Sequence, residues 1–318
     1  MRRSPVNPIL TRGEVPELDA ETRDVSAVLA PGAATWDGRT LLLAEVLTRA
    51  ATSVWMPAWS DDGVRFSVEP RRVGVVGIEA LPERVHRVRS PRLVVLDGAL
   101  VVSFVAETDD AVHVGLARGM DPGALELLSL DFARGARHAV LFPAGVGGRH
   151  LRVESAARVA DAPADFGREL RLAESDDLVT WRDAGPLLAA RPHGFDVLLA
   201  PGPPPVLTSA GWLLLTRAAV RAGGGFVQQV GAVVLDATDP TRVVGRASAN
   251  VLEPREAYET TGRAPNAIEP GGAVVDRVDG DACALPDARV RLYYGCAGTC
   301  VALASASVAE LLAACDAA

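Results

Sequence analysis

The chain has 318 residues, 49% of them apolar, 23% charged and 5% aromatic, a makeup that supports a sizeable core and excludes a wholly disordered chain. A net charge of −8 argues against a nucleic-acid surface, which needs a basic stripe to displace counterions from phosphates. All 32 basic residues are arginine, so there is no lysine for a Schiff base or a phosphate-binding loop.

The opening MRRSPVNPIL lacks an apolar stretch of secretory-signal length, and no run approaches the ~20 apolar residues of a membrane span. A cytoplasmic location with no membrane partner is expected. Short runs rich in Val and Leu follow, bounded by Asp-Gly, Gly-Gly and Pro-containing turns: TLLLAEV, RLVVLDGALVVSFVA, GWLLLTRAAV and QQVGAVVLDA. They predict an all-β protein of about twenty strands. Only the tail from Val308, VAELLAACDA, has the spacing of an amphipathic helix.

Five segments place a strand before a polar turn, with the turns beginning near Ser60, Gly119, Ser175, Asp236 and Ser305. A repeat of roughly 55–70 residues suggests five four-stranded blades, and a five-bladed β-propeller with a short C-terminal helix hides most sheet edges. The expectation is one domain over residues 1–318, with any site at the mouth of the central channel. Of the four cysteines, Cys296 and Cys300 fall in a strand-like run, YYGCAGTCVALA, that would send both to one face. No second Cys or His pair follows at zinc-site spacing, so buried free thiols and no metal are expected. The Asp pairs Asp61-Asp62 and Asp176-Asp177, and the run Glu107-Thr-Asp109-Asp110, read as turn chemistry.

Several segments together resemble glycoside hydrolase family 130, the β-mannoside phosphorylases and related mannosidases: SPVNPIL at the start, APGAATWDGRTLLL, SPRLVVLDG, RHAVLFP, PGPPPVLTSAGWLLL, VGAVVLDATDP, EPREAYETTGRAPNAIEPGG and LYYGCAG. They occur in family order over nearly the whole chain. The resemblance implies a five-bladed propeller that cleaves β-mannosides by phosphorolysis, with inorganic phosphate as co-substrate, or by hydrolysis, and with neither metal nor organic cofactor. Its proton donor is the Asp of a Gly-Glu-Asp-Pro-Arg loop, needed because an alkoxide leaves poorly unless protonated. The matching residues here are Val88-Arg89-Ser90-Pro91-Arg92, so the donor position is Ser90, whose hydroxyl is far too weak an acid.

Other matching positions depart as well. Glu45 stands for an arginine, which with Arg89 suggests a charge pair of reversed polarity. His138 replaces a sugar-binding carboxylate, Arg217 lies in the segment where the family carries a phosphate-binding His, and Gln229 replaces a phosphate-binding Arg. The substrate-binding candidates carried over are Asn7, Arg92, His138, Asp196, Asn266 and Tyr294, and His138 with Arg217 form a candidate anion site. Glu259 and Glu269 flank the Asn266 loop as weaker candidates for a replacement acid. Two readings stay open: a carbohydrate-active enzyme with altered or lost activity, and a non-catalytic propeller that binds a small carbohydrate or a protein. Assembly into a homo-oligomer is left open as well.

Overall fold

In the computed structural model, which describes residues 1–132, 134–155 and 159–316, the chain forms five antiparallel blades around a common axis. Their innermost strands are Ala27–Trp36, Arg87–Leu96, Ala139–Leu141, Leu198–Pro201 and Ile268–Val275. Blade 2 carries an extra parallel edge strand, Gly74–Val76. Blade 5 takes its outermost strand from the other end of the chain: Arg2–Arg3 pairs with Cys300–Ser307, Arg2 opposite Ser305.

Alternation explains how flat sheets become a ring. Along the second strand of blade 1, Leu41 and Leu43 pack toward blade 2, while Leu42 and Ala44 pack toward blade 5. In blade 4, Leu213 and Leu215 face blade 5, and Trp212 and Leu214 face blade 3. A period of two sends successive side chains to opposite faces, so a strand apolar on both faces must be covered by two neighbours. Five apolar clusters fill the five interfaces between blades.

The turns follow the repeat. After the third strands of blades 1, 3 and 4, the carboxylates of Asp62, Asp177 and Asp236 each accept two backbone N–H groups at 2.7–3.0 Å. In blades 2 and 5 the third strand runs two residues past the expected Gly119 and Ser305, ending at Asp121 and Ser307. Ser307 then opens the C-terminal helix, Val308–Asp316: its Oγ accepts the Glu310 N–H and its own N–H donates to the Glu310 carboxylate. A second short helix, Ala257–Thr260, has no sequence periodicity to betray it. Cys296 and Cys300 are not in one strand: Cys296 ends one strand, Cys300 opens the next, and they face each other across the hairpin. All four cysteines are free thiols, with Cys283 only half-buried.

Proline shapes the channel. Pro31, Pro91 and Pro270 each lie at a register break of an inner strand, where a missing N–H costs no ladder bond. Inner strands also approach closely beside these breaks. A Cβ on Gly271 would sit 2.3 Å from the Pro31 carbonyl oxygen, so only glycine fits there.

Candidate functional site

The break in blade 2 sets the site. It turns Ser90 into the left-handed region, φ +55°, and sends Arg89 and Arg92 inward from either side of Ser90-Pro91. The Ser90 N–H, freed from the ladder, donates to Glu45 Oε2 at 2.7 Å. Glu45 also accepts from Ser53 Oγ (2.6 Å) and Arg87 (3.2 Å). Burial pushes the Glu45 carboxyl above its ordinary pKa, against the opposing pull of Arg87 and these donors.

Arg89 does not make the expected direct pair with Glu45. It donates from Nε to Glu107, and its two terminal nitrogens grip both oxygens of Asp165 at 3.0 and 2.8 Å. Glu107 is therefore not a turn residue but the last residue of the strand Ala99–Glu107, with its carboxylate turned to the arginines. Asp165 comes from the loop ahead of the strand Glu169–Ser175, anchored by the buried Phe166 and a bridge between Gly167 and Leu199.

Arg217, on the second strand of blade 4, reaches Asp165 at 3.4 Å and Glu269 at 3.3 Å and donates to Gln228 Oε1 at 3.2 Å. Arg92 is wholly buried, donating to the carbonyls of Gly202 and Pro91 and lying 3.5 Å from Glu269. Burial pulls its pKa down to about 10, with Glu269 opposing and Arg217 reinforcing. Four guanidiniums, Arg87, Arg89, Arg92 and Arg217, thus face four carboxylates, Glu45, Glu107, Asp165 and Glu269. Burial alone would raise the Asp165 carboxyl, but Arg89 above all, with Arg217 adding to it, holds it well below the ordinary carboxylate range.

His138 lies among these groups, 1% exposed, with neither ring nitrogen hydrogen-bonded among the described residues. Burial, then the charge of Arg92, keeps it neutral well below the usual imidazole value, with Asp165 pulling the other way. Asp165, Arg217 and Glu269 also line a cavity of about 230 Å³ whose other walls include Ala30, Gln228 and Ala267.

Arg92, His138 and Arg217 are therefore gathered at one place, with Ser90 next to them. Asn266, between the cavity-lining Ala264 and Ala267, is in left-handed backbone (φ +58°), its carbonyl accepting the Gln228 N–H. The remaining candidates are bound into the framework. Asn7 makes two hydrogen bonds to the Leu303 backbone and one to Tyr258. Tyr294 donates to Glu259, and Asp196 holds Arg191 and Arg246. Glu259 itself is an internal latch for Arg3. Asp165 escaped the sequence reading; in RVADAPADFGREL its one local signal is an acid set between small residues and a phenylalanine.

Known proteins share this framework. The family model described as beta-1,4-mannooligosaccharide phosphorylase matches residues 2–317. The chain is 26% identical over 261 residues to a beta-1,4-mannooligosaccharide phosphorylase of Ruminococcus albus, covering 80% of this chain and 73% of that protein. It is 28% identical over 251 residues to a 1,2-beta-oligomannan phosphorylase of a Thermoanaerobacter species, covering 78% and 76%. The solved beta-1,2-mannobiose phosphorylase of Listeria innocua, in complex with its mannobiose, superposes with a TM-score of 0.84 over 100% of this chain and 99% of that one, at 21% identity, a likeness of fold. With the blades in their expected order and a family match running almost from end to end, this chain belongs to glycoside hydrolase family 130.

Proposed function

We propose that this chain binds a β-mannoside or a closely similar small sugar at its channel mouth, and that it does not cleave the sugar by the proton transfer that the family's Gly-Glu-Asp-Pro-Arg loop performs. The observation that carries the reading is Ser90, a hydroxyl at the donor position whose N–H is occupied by Glu45 and whose Oγ lies 3.3 Å from Arg89. Departure of an alkoxide calls for a carboxylic acid at that point. Asp165 beside it is held ionised, and Glu107 and Glu269 are engaged by arginines. The cavity, below the ~300–1,000 Å³ of a drug-sized ligand's pocket, suits one small polar ligand between Gln228, Glu269 and the Asn266 loop. Recognition of this kind requires neither metal nor organic cofactor.

Calorimetry with mannose, β-1,2-mannobiose and β-1,4-mannobiose, paired with sugar-release assays with and without phosphate, tests both halves. Saturable binding without release is expected. Release above the blank overturns the loss of cleavage, and absence of binding overturns recognition. Ser90→Asp, at a backbone φ that Asp tolerates, is expected to restore measurable release. One observation favours a second reading: Glu45, its pKa raised by burial and its carboxylate 2.7 Å from the Ser90 nitrogen, could serve as the acid. Wild-type release abolished by Glu45→Gln would support it.

A further inference from the structure

The channel-mouth cavity already has a carboxylate in its wall. Asp165 is gripped by the Arg89 fork through both oxygens and by Arg217 from a second side, the arrangement by which arginine recognises a free carboxylate. Among the described residues its hydrogen bonds come from arginine side chains alone. Within electrostatic reach of it lies the imidazole of His138, buried and, among the described residues, without a hydrogen-bond partner. Leaving a buried donor and acceptor unpaired costs roughly 1–3 kcal/mol each, a poor arrangement for a purely structural residue and a fitting one for a group that awaits a ligand.

We propose that Arg89, Arg217 and His138 form an anion site that the chain fills with its own Asp165 side chain, and that a sugar acid displaces Asp165 to place its carboxylate there. The loop permits the exchange. Its anchors are Phe166 and the Gly167–Leu199 bridge, so rotating the Asp165 side chain need not break the backbone attachments. A tethered carboxylate competes at an effective concentration on the order of millimolar. A bare anion such as acetate makes no contact that Asp165 lacks, so it displaces the side chain poorly. A uronic acid adds ring hydroxyls that can reach Gln228 and Glu269 across the same cavity, and those extra contacts favour it. The proposal does not rest on the mannoside reading, because it is tested with no mannoside present.

The experiment is calorimetric titration of wild type and Asp165→Ala with glucuronate, acetate, inorganic phosphate and neutral glucose. Glucuronate is expected to bind Asp165→Ala at least about tenfold more tightly than wild type, since the tethered competitor is gone. Glucose should bind the two alike, and adding Arg217→Met to Asp165→Ala should abolish the gain. Equal glucuronate affinity in wild type and a folded Asp165→Ala overturns the proposal, as does a gain for phosphate without one for glucuronate. Should Asp165→Ala lose stability, acetate at tens of millimolar is expected to restore its melting temperature by refilling the vacated site. A variant that neither recovers with acetate nor binds glucuronate overturns the proposal as well.

Discussion

Two buried carboxylates, Glu259 and Asp165, are each tied to arginine, and their surroundings differ in kind. Glu259, with 0% exposure, receives Arg3 through both oxygens, the N–H groups of Arg255 and Glu256, and the Tyr294 hydroxyl, all at 2.8–3.0 Å. Most of that shell is backbone and hydroxyl supplied by blade 5 itself. Asp165 is held by arginines from blades 2 and 4, within electrostatic reach of an imidazole that has no hydrogen-bond partner among the described residues. A carboxylate that fastens a fold gathers local donors until its lone pairs are used. One held by long side chains around a cavity leaves the polar arrangement open to exchange. The contrast separates latch from site where burial and charge alone do not.

Breaking the latch should have the largest effect. Glu259→Ala strips Arg3 of its carboxylate, leaving it the Glu253 carbonyl, and unpairs two N–H groups and a phenol, and a loss of about 3–5 kcal/mol in urea unfolding is expected. Acetate should not rescue it, and a rescue as large as that of Asp165→Ala would dissolve the distinction. Tyr294→Phe removes one hydrogen bond to a charged group, so a loss of about 1.5–3 kcal/mol is expected. Its sugar affinity should equal that of wild type; a fall in affinity would move Tyr294 from the latch to the site.

The smallest effect is read against pH. His138 stays neutral in the fold at pH values where the unfolded chain protonates it, so the unfolded state binds more protons once the pH drops below the ordinary imidazole value of 6.5. Stability is therefore full above that value and falls as the pH is lowered toward 5, by up to about 1.4 kcal/mol per pH unit from this residue. Stability curves for wild type and His138→Leu should converge in shape above pH ~7 and separate below ~6. Parallel curves would mean that the imidazole finds a proton acceptor in the fold.

Much of the architecture was legible because it rests on local rules. The Asp-Gly hairpins at Asp37-Gly38 and Asp97-Gly98 have positive φ at both residues, as a two-residue hairpin turn requires, and Asp62, Asp177 and Asp236 repeat one turn chemistry. Leu41, Leu42, Leu43 and Ala44 show why the strands read as unbroken apolar runs: alternate residues serve two different interfaces. The site was legible in part. Arg92, His138 and Arg217 stand at positions that the family resemblance marks, and they do converge. Asp165 was hidden because its partners Arg89 and Arg217 are 76 and 52 positions away, and no local pattern encodes a pairing across blades. Asn7 and Tyr294 sit at marked positions too, but there the family pattern coincides with framework bonds, so position alone could not tell binding from fastening.

The strand Arg2–Arg3 on blade 5 has a consequence for how the molecule comes into being. Its partners Ala304 and Ser305 come far later in the sequence, so Arg2 and Arg3 are made long before the strand they pair with. Contacts of such sequence separation are entropically late and slow the final step. Until then Arg3 and the carboxylate of Glu259 are apart, and blade 5 presents a bare edge of the kind that pairs with other chains. The seam of the ring is thus the place where a nascent chain is most exposed to aggregation, and where loss of the Arg2–Arg3 strand would be felt first.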